Sequence, residues 1–219
     1  MAKMGSEGQR KDNIEQHRKT KVWVVTDPMC SWCWGMSGAV EAAAHELADE
    51  VDFDLLLGGI NLHATQSIGD FGRGHLMKLW AEVRETTGAS FGFELPQGFI
   101  YNSRLPCIAV EALRRRTGSA PFGYLHRLQQ CLFEEGRNIN SAEVLDWVAR
   151  EFDWSAGELA AELGDPELAA LADAQFEGSR RYGTNALPNV LIEQTGERRL
   201  LFGGYADSEM IIGLVRQAR

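Results

Sequence analysis

Basic residues are in the minority, proline is sparse, and no long apolar run is present. The 219 residues carry 22 Lys and Arg against 31 Asp and Glu, a formal net charge of −9. An acidic balance without a basic stripe argues against a nucleic-acid partner, because phosphate contacts need clustered cations. The longest purely apolar stretches, such as Val22 to Val25 and Leu55 to Leu57, are strand-sized. Roughly 20 apolar residues are needed to span a bilayer, so no membrane partner is expected. Six prolines beside 23 glycines exclude a collagen-like or low-complexity chain. The 44% of hydrophobic residues and the length suffice for one generous domain or two small ones, with a core that needs no disulfide staples.

Residues Met1 to Lys21 are polar and charged, with no apolar central region and no small-residue cleavage site. They read as a disordered polar tail without a secretory signal, and a cytoplasmic setting is the expectation. The four cysteines then acquire a particular meaning. In a reducing compartment structural disulfides are rare, and paired cysteines more often bind metal or do redox chemistry.

The run Val22-Trp23-Val24-Val25-Thr26 is strand-like and is closed by Asp27-Pro28. After Cys30-Ser31-Trp32-Cys33, a helix is expected from Met36 to Ala48, with Val40, Ala43, Ala44 and Leu47 at helical spacing. A second strand is expected at Val51 to Leu57, completing a right-handed βαβ unit. Between about 62 and 182 nearly everything reads as helix. Leu76, Leu79, Trp80 and Val83 form one stripe, and Leu125, Leu128 and Leu132 another. A helix is expected near Pro106, ending by Gly118. Asn140 with Glu143, and Ser155 with Glu158, have capping-box spacing, and Asp165-Pro166 starts a further helix. Strand signals return at Asn189 to Glu193 and Arg198 to Phe202 around Gln194-Thr195-Gly196-Glu197, a hairpin with Gly in the turn. A last helix carries Ile211, Ile212 and Val215. The order βαβ, helical block, ββα is that of an α/β fold whose one sheet is interrupted by an all-helical insertion.

Cys30 and Cys33 stand between the first strand and its helix, at the helix N-terminus. Unpaired backbone N–H groups and the helix dipole favour negative charge there, so Cys30 is expected to supply a thiolate nucleophile. Cys33, one turn on, can displace what Cys30 captures, giving a reversible dithiol/disulfide pair. Half of a zinc site is the competing reading. Cys107 and Cys131 form no second knuckle, however, and none of His17, His45, His63, His75 or His126 stands at ligand spacing beside the pair. No metal is expected. Inert buried thiols are the other alternative. Leu187-Pro188 opens the returning strand, a position where proline is tolerated because it forfeits no ladder bond.

These residues together carry a resemblance. A Cys30-Ser31-Trp32-Cys33 motif after the first strand, a helical insertion, and Leu187-Pro188 before a late hairpin resemble the DsbA-like branch of the thioredoxin superfamily. The phrase Asp27-Pro28-Met29-Cys30-Ser31-Trp32-Cys33-Trp34-Gly35 is similar to its FrnE-like, protein-disulfide-isomerase group in particular. The resemblance implies a thioredoxin-like domain over 22–61 and 183–219 and a helical insertion over 62–182. It implies a thiol:disulfide oxidoreductase acting on protein or peptide cysteines, with Cys30 and Cys33 catalytic and no cofactor beyond the redox-active disulfide. Glutathione is a candidate co-substrate. Pro188 would be the family's cis proline, with Leu187 offering backbone groups to an extended substrate. Trp32 and Trp34 are candidate substrate contacts, although Trp34, like Met29, reads equally well as a cap on the core. Ser31 and Trp32 replace the inner His of the periplasmic members, which implies a less oxidising pair. Asn189 stands where Thr or a small apolar residue is common.

Two other readings stay open. Kappa-class glutathione transferases and hydroxychromene-carboxylate isomerases resemble this arrangement, but they carry a single Ser at the nucleophile's position. A non-enzymatic module gripping extended peptides through the proline loop is the second. Cys107 and Cys131 read as core thiols, Asn102-Ser103-Arg104 as a helix cap, and Arg114-Arg115-Arg116 as a solvated helix end.

Overall fold

The computed structural model describes residues 20–182 and 186–219. Of the tail expected over 1–21, only Thr20 and Lys21 lie among them, and Lys21 opens the first strand rather than closing a tail.

Strand β1 (Lys21–Thr26) leads through helix α1 (Ser31–Glu46) to β2 (Asp52–Leu57). Helices α2 (Asp70–Thr87), α3 (Arg104–Thr117), α4 (Phe122–Phe133), α5 (Ala142–Ala149), α6 (Glu158–Glu162) and α7 (Pro166–Arg180) follow. The hairpin β3 (Asn189–Gln194) and β4 (Glu197–Gly203) then precedes α8 (Ser208–Ala218). The sheet order is β2-β1-β3-β4, with β1 parallel to β2 and antiparallel to β3. Both halves of the chain therefore build one sheet, as the element order implies.

Alternation along β1 sends Val22 and Val24 to the face covered by α1 and α8, where they meet Val40, Ala43, Ile211 and Val215. Trp23 and Val25 point the other way, to Leu56 and Leu191. Leu55 pairs in register with Val24, and together with Leu57 it enters the separate core of the helical insertion. That core closes around Trp80, Phe99, Tyr124, Leu128 and Phe133.

The β2 edge is covered by side chains of the insertion. Arg114 donates to the Leu55 carbonyl at 2.7 Å, and the Leu57 N–H donates to Gln175 Oε1 at 2.9 Å. An open edge is a template for foreign strands, and here its polar groups have partners. Arg114 also pairs with Asp54 at 2.6 Å and Glu111 at 3.0 Å. This corrects the reading of residues 114–116 as a solvated helix end at Arg114 alone, which clamps the insertion to the sheet, while Arg115 and Arg116 are exposed as expected. Arg115 and Arg116 reach Glu162, Asp165 and Glu158 on the neighbouring helices.

Local signals set several element ends. Asp165 caps α7 by accepting from the Glu167 N–H, with Pro166 in the first turn, and Gly118 ends α3 in the left-handed conformation. Thr195 and Gly196 both have positive φ, the requirement of a tight two-residue hairpin. The Asn140 box does not form. Ser141 precedes α5, while Asn140 donates its side-chain amide to the Ile100 carbonyl at 2.7 Å. At Ser155 only the return half of a box exists, its N–H donating to Glu158 at 2.8 Å.

Residues 88–103 form a long connection held against α4. Gly92 N–H donates to the Phe133 carbonyl, and a Cβ on Gly92 would stand 2.1 Å from the Glu134 carbonyl oxygen. Backbone cannot yield as a flexible side chain would. Gly92→Ala is expected to destabilise the protein by about 1–3 kcal/mol in denaturant melts.

Candidate active site

Helix α1 begins immediately after Cys30, which occupies its N-cap in extended conformation (φ −83°, ψ 111°). The Cys30 Sγ accepts the Cys33 N–H at 3.2 Å, and the two cysteines approach within 2.7 Å as free thiols. A sulfur that takes the place of a capping oxygen lies where orphan N–H groups and the helix dipole favour an anion. No acidic residue in the first turn opposes it. Both thiols are nearly covered, Cys30 at 6% and Cys33 at 4% exposure. Burial pushes the Cys33 thiol well up, and negative charge at Cys30 and Asp27 pushes it further. Cys33 is thus held as the protonated partner.

Asp27, completely buried, is the polar centre beneath the motif. It accepts from the Met29 N–H at 2.8 Å, the Gly59 N–H at 3.0 Å, the Ile60 N–H at 3.2 Å and the Ser103 hydroxyl at 2.6 Å. The Cys107 thiol donates to the same carboxylate at 3.7 Å. Burial raises the Asp27 carboxyl above the ordinary carboxylate range despite the donors that lower it. Gln129 donates to the Asp27 carbonyl at 3.1 Å, and Tyr101 donates to the Met29 carbonyl at 3.3 Å. Three residues of the insertion (Tyr101, Ser103 and Gln129) therefore fix the segment from Asp27 to Met29. None of them was singled out by sequence as part of a site. Asp27 was visible only as a member of the motif, since its partners stand up to 102 positions away.

The Leu187–Pro188 peptide bond is cis, as the resemblance implies. Pro188 and Cys33 line one groove of about 220 Å³ between α1 and α4. Leu187 is half-buried and packs against Trp23, Val25, Leu56 and Leu191. Residues 183–185, where the second part of the thioredoxin-like domain was expected to open, lie outside the described residues.

The tryptophans divide. Trp32 is half-buried in the first turn of α1. Trp34 is 7% exposed, donates its indole N–H to the Ser90 carbonyl at 2.9 Å, and stacks on Phe133 with ring centroids 6.2 Å apart. Of the two roles weighed for Trp34, capping the core fits this packing. Met29, at 1% exposure, belongs with it. His126 of α4 approaches Trp34 at 5.1 Å and lines the groove beside Cys33, a placement its helical spacing alone did not signal.

Ser103 precedes α3 but makes no cap with its side chain, which turns to Asp27 instead. Asn102 Oδ1 accepts the Arg104 N–H at 2.9 Å, the local role expected of this segment. Cys107 and Cys131 are fully buried, and burial pushes the Cys131 thiol up to about 11. Among the described residues no cluster of three or more His, Cys, Asp or Glu could hold a metal ion. No helix among them is long and apolar enough to cross a membrane.

No family model and no curated protein sequence matches the chain. Solved structures do. A candidate protein disulfide isomerase from Nitrosomonas europaea superposes with a TM-score of 0.83 at 24% identity, over 91% of this chain and 97% of that one. The cytosolic disulfide reductase DsbM from Pseudomonas aeruginosa, also solved with GSH, gives 0.70 at 24% identity, over 88% and 92%. A 2-hydroxychromene-2-carboxylate isomerase gives 0.62 at 13% identity, over 90% and 94%. The chain has the DsbA-like thioredoxin fold.

Proposed function

We propose that the protein is a thiol:disulfide oxidoreductase of the FrnE-like kind its motif resembles, working as a disulfide reductase or isomerase on protein or peptide cysteines in a reducing compartment. The observation that carries this reading is the Cys30 sulfur at the α1 N-cap, accepting at 3.2 Å the N–H of a second free cysteine that approaches it within 2.7 Å. The similarity to a disulfide reductase structure supports it.

The reaction follows from the two environments. The Cys30 thiolate attacks one sulfur of a substrate disulfide. A Cys30–substrate bond forms, the substrate S–S bond breaks, and the other substrate sulfur leaves as a thiolate and takes a proton. Cys33 then gives up its proton and attacks the Cys30 Sγ. The Cys30–Cys33 disulfide forms and the second substrate sulfur departs as a thiol. Two electrons have passed from the protein to the substrate. Two equivalents of a small thiol, glutathione being our proposal for it, return the pair to the dithiol and leave as their own disulfide. Pro188 borders the place where the substrate strand would lie, and Trp32, half-buried between the two cysteines, is our candidate for a further substrate contact.

The isomerase or transferase reading of the hydroxychromene-carboxylate isomerase type finds less support, because a second thiol beside the first has no task in it. A peptide-binding module without redox chemistry would leave the same thiol idle.

Two measurements test the proposal. Titration of native protein should show two thiols that disappear on mild oxidation and return with reductant, while Cys107 and Cys131 stay silent. Cys33→Ala should accumulate substrate proteins as mixed disulfides on Cys30, released by excess dithiol. A pair that fails to toggle, with no trapped adducts, would overturn the reading.

A further inference from the structure

We infer that the groove between α1 and α4 is a sequence-reading subsite for a peptide carrying an apolar residue and, about five residues from its reactive cysteine, a Lys or Arg that meets Glu41. This rests on the oxidoreductase reading above and names its substrate class. The geometry begins with α1. Cys33, Met36, Val40 and Ala44 recur at helical spacing on one face, and Ser37 and Glu41 sit beside them. Across the gap, Phe122 and Leu125 of α4 supply the opposite apolar wall. At about 220 Å³ the groove is smaller than the roughly 300–1,000 Å³ typical of sites for whole small molecules. It suits one or two side chains of a longer strand.

Charge selects the occupant. No Lys or Arg lines the groove and its one basic side chain, His126, stands at the Cys33 end, so nothing at the Glu41 end would hold the carboxylates of glutathione. The one carboxylate is Glu41, exposed at the far end from Pro188 and Cys33, with neither a hydrogen bond nor an ion pair among the described residues. Its neighbours differ: Glu46 and Glu50 are both engaged by Arg216 of α8. Ser37 is also occupied, donating to the Trp34 carbonyl at 2.7 Å. Glu41 lies eleven residues beyond Cys30, which holds the substrate cysteine, about 16 Å along the helix at 1.5 Å per residue. An extended peptide covers that distance in about five residues. A substrate strand anchored at Cys30 would thus place an apolar side chain between the Met36–Val40 stretch and Phe122 and a cation at Glu41.

The test uses disulfide-linked dimers of a short peptide with one Cys, a Leu three positions away, and either Lys or Glu five positions away, made in both chain directions. In one direction the wild-type protein should reduce the Lys peptide about threefold faster in kcat/KM at low salt, the size of an exposed charge pair, and the ratio should shrink as salt rises. Glu41→Gln should bring the ratio near one, and Glu41→Lys should invert it. Because the ratio is taken within each protein, a general loss of activity does not imitate the effect. A Lys preference that survives Glu41→Gln overturns the inference. So does equal reduction of all peptides by a wild-type protein that still reduces a small neutral disulfide, an outcome that leaves the oxidoreductase reading standing. A wild-type protein that reduces neither overturns both.

Discussion

Cys30→Ser is expected to lose disulfide-reducing activity by on the order of a thousandfold or more, as removal of a nucleophile does when no neighbour can replace it. Cys33 cannot take over. Its thiol is pushed up by burial and by negative charge at Cys30 and Asp27, so it stays protonated until the first step has discharged Cys30. Its own N–H is given to Cys30, and the first turn of α1 stabilises charge at the cap, not one turn inside. Cys33→Ser should behave differently. It retains the first attack and stops there, so mass spectrometry should find one equivalent of substrate bound to Cys30. Turnover should recover in part when excess small thiol does the resolving. Equal residual rates in the two variants, or adducts on Cys33 instead of Cys30, would reverse the assignment. Insulin reduction and intact-mass measurement of the adduct decide between the outcomes.

That asymmetry was legible in the sequence because it is local. A strand, two cysteines three apart and a helix lie within 26 residues, and helix polarity then ranks the two thiols. The same holds for Asp165-Pro166 at the start of α7, for Thr195-Gly196 in the hairpin and for Gly118 at the end of α3, each a residue type that meets a backbone requirement at its own position. Leu187-Pro188 was legible only through resemblance, since nothing nearby distinguishes it from an ordinary strand-edge proline. What stayed hidden depends on long-range pairing. Ser103 looks like a helix cap, yet its hydroxyl finds Asp27, 76 positions away. Arg114 looks like the solvated end of a helix, yet it reaches Asp54 and the β2 edge. His126 and Gln129 stand beside the Leu125, Leu128 and Leu132 stripe, which reads simply as core-facing helix and marks neither of them. Asn140 matched the capping pattern and lost to a tertiary partner, the Ile100 carbonyl, that no local rule could reveal.

Asp27 is where these hidden contacts converge, and Asp27→Ala is expected to be the most damaging single change to stability near the site. The truncation leaves the Met29 and Gly59 N–H groups without their acceptor. The Ile60 N–H keeps Ser103 Oγ at 2.7 Å, and the Ser103 hydroxyl retains only a long approach to the Ile60 carbonyl at 3.5 Å. One buried and one half-buried donor without partners cost about 2–5 kcal/mol in total. The pH dependence has a definite sign. The folded-state carboxyl titrates above its ordinary value, because burial outweighs the donors, so the folded protein binds the Asp27 proton more tightly than the unfolded chain. The associated stability is complete below the unfolded value, about 3.9, and is lost as pH rises through the elevated folded one. The gap between wild type and Asp27→Ala in chemical melts should therefore be widest in acid at or below that unfolded value and narrower at neutral pH. Asp27→Asn keeps an acceptor and removes the titration. It should sit between the two in stability, and its difference from Asp27→Ala should not change with pH. A gap that instead widens steadily from acid to neutral would mean that the carboxylate's hydrogen bonds outweigh its burial, reversing the electrostatic description of the loop on which the cysteine pair rests.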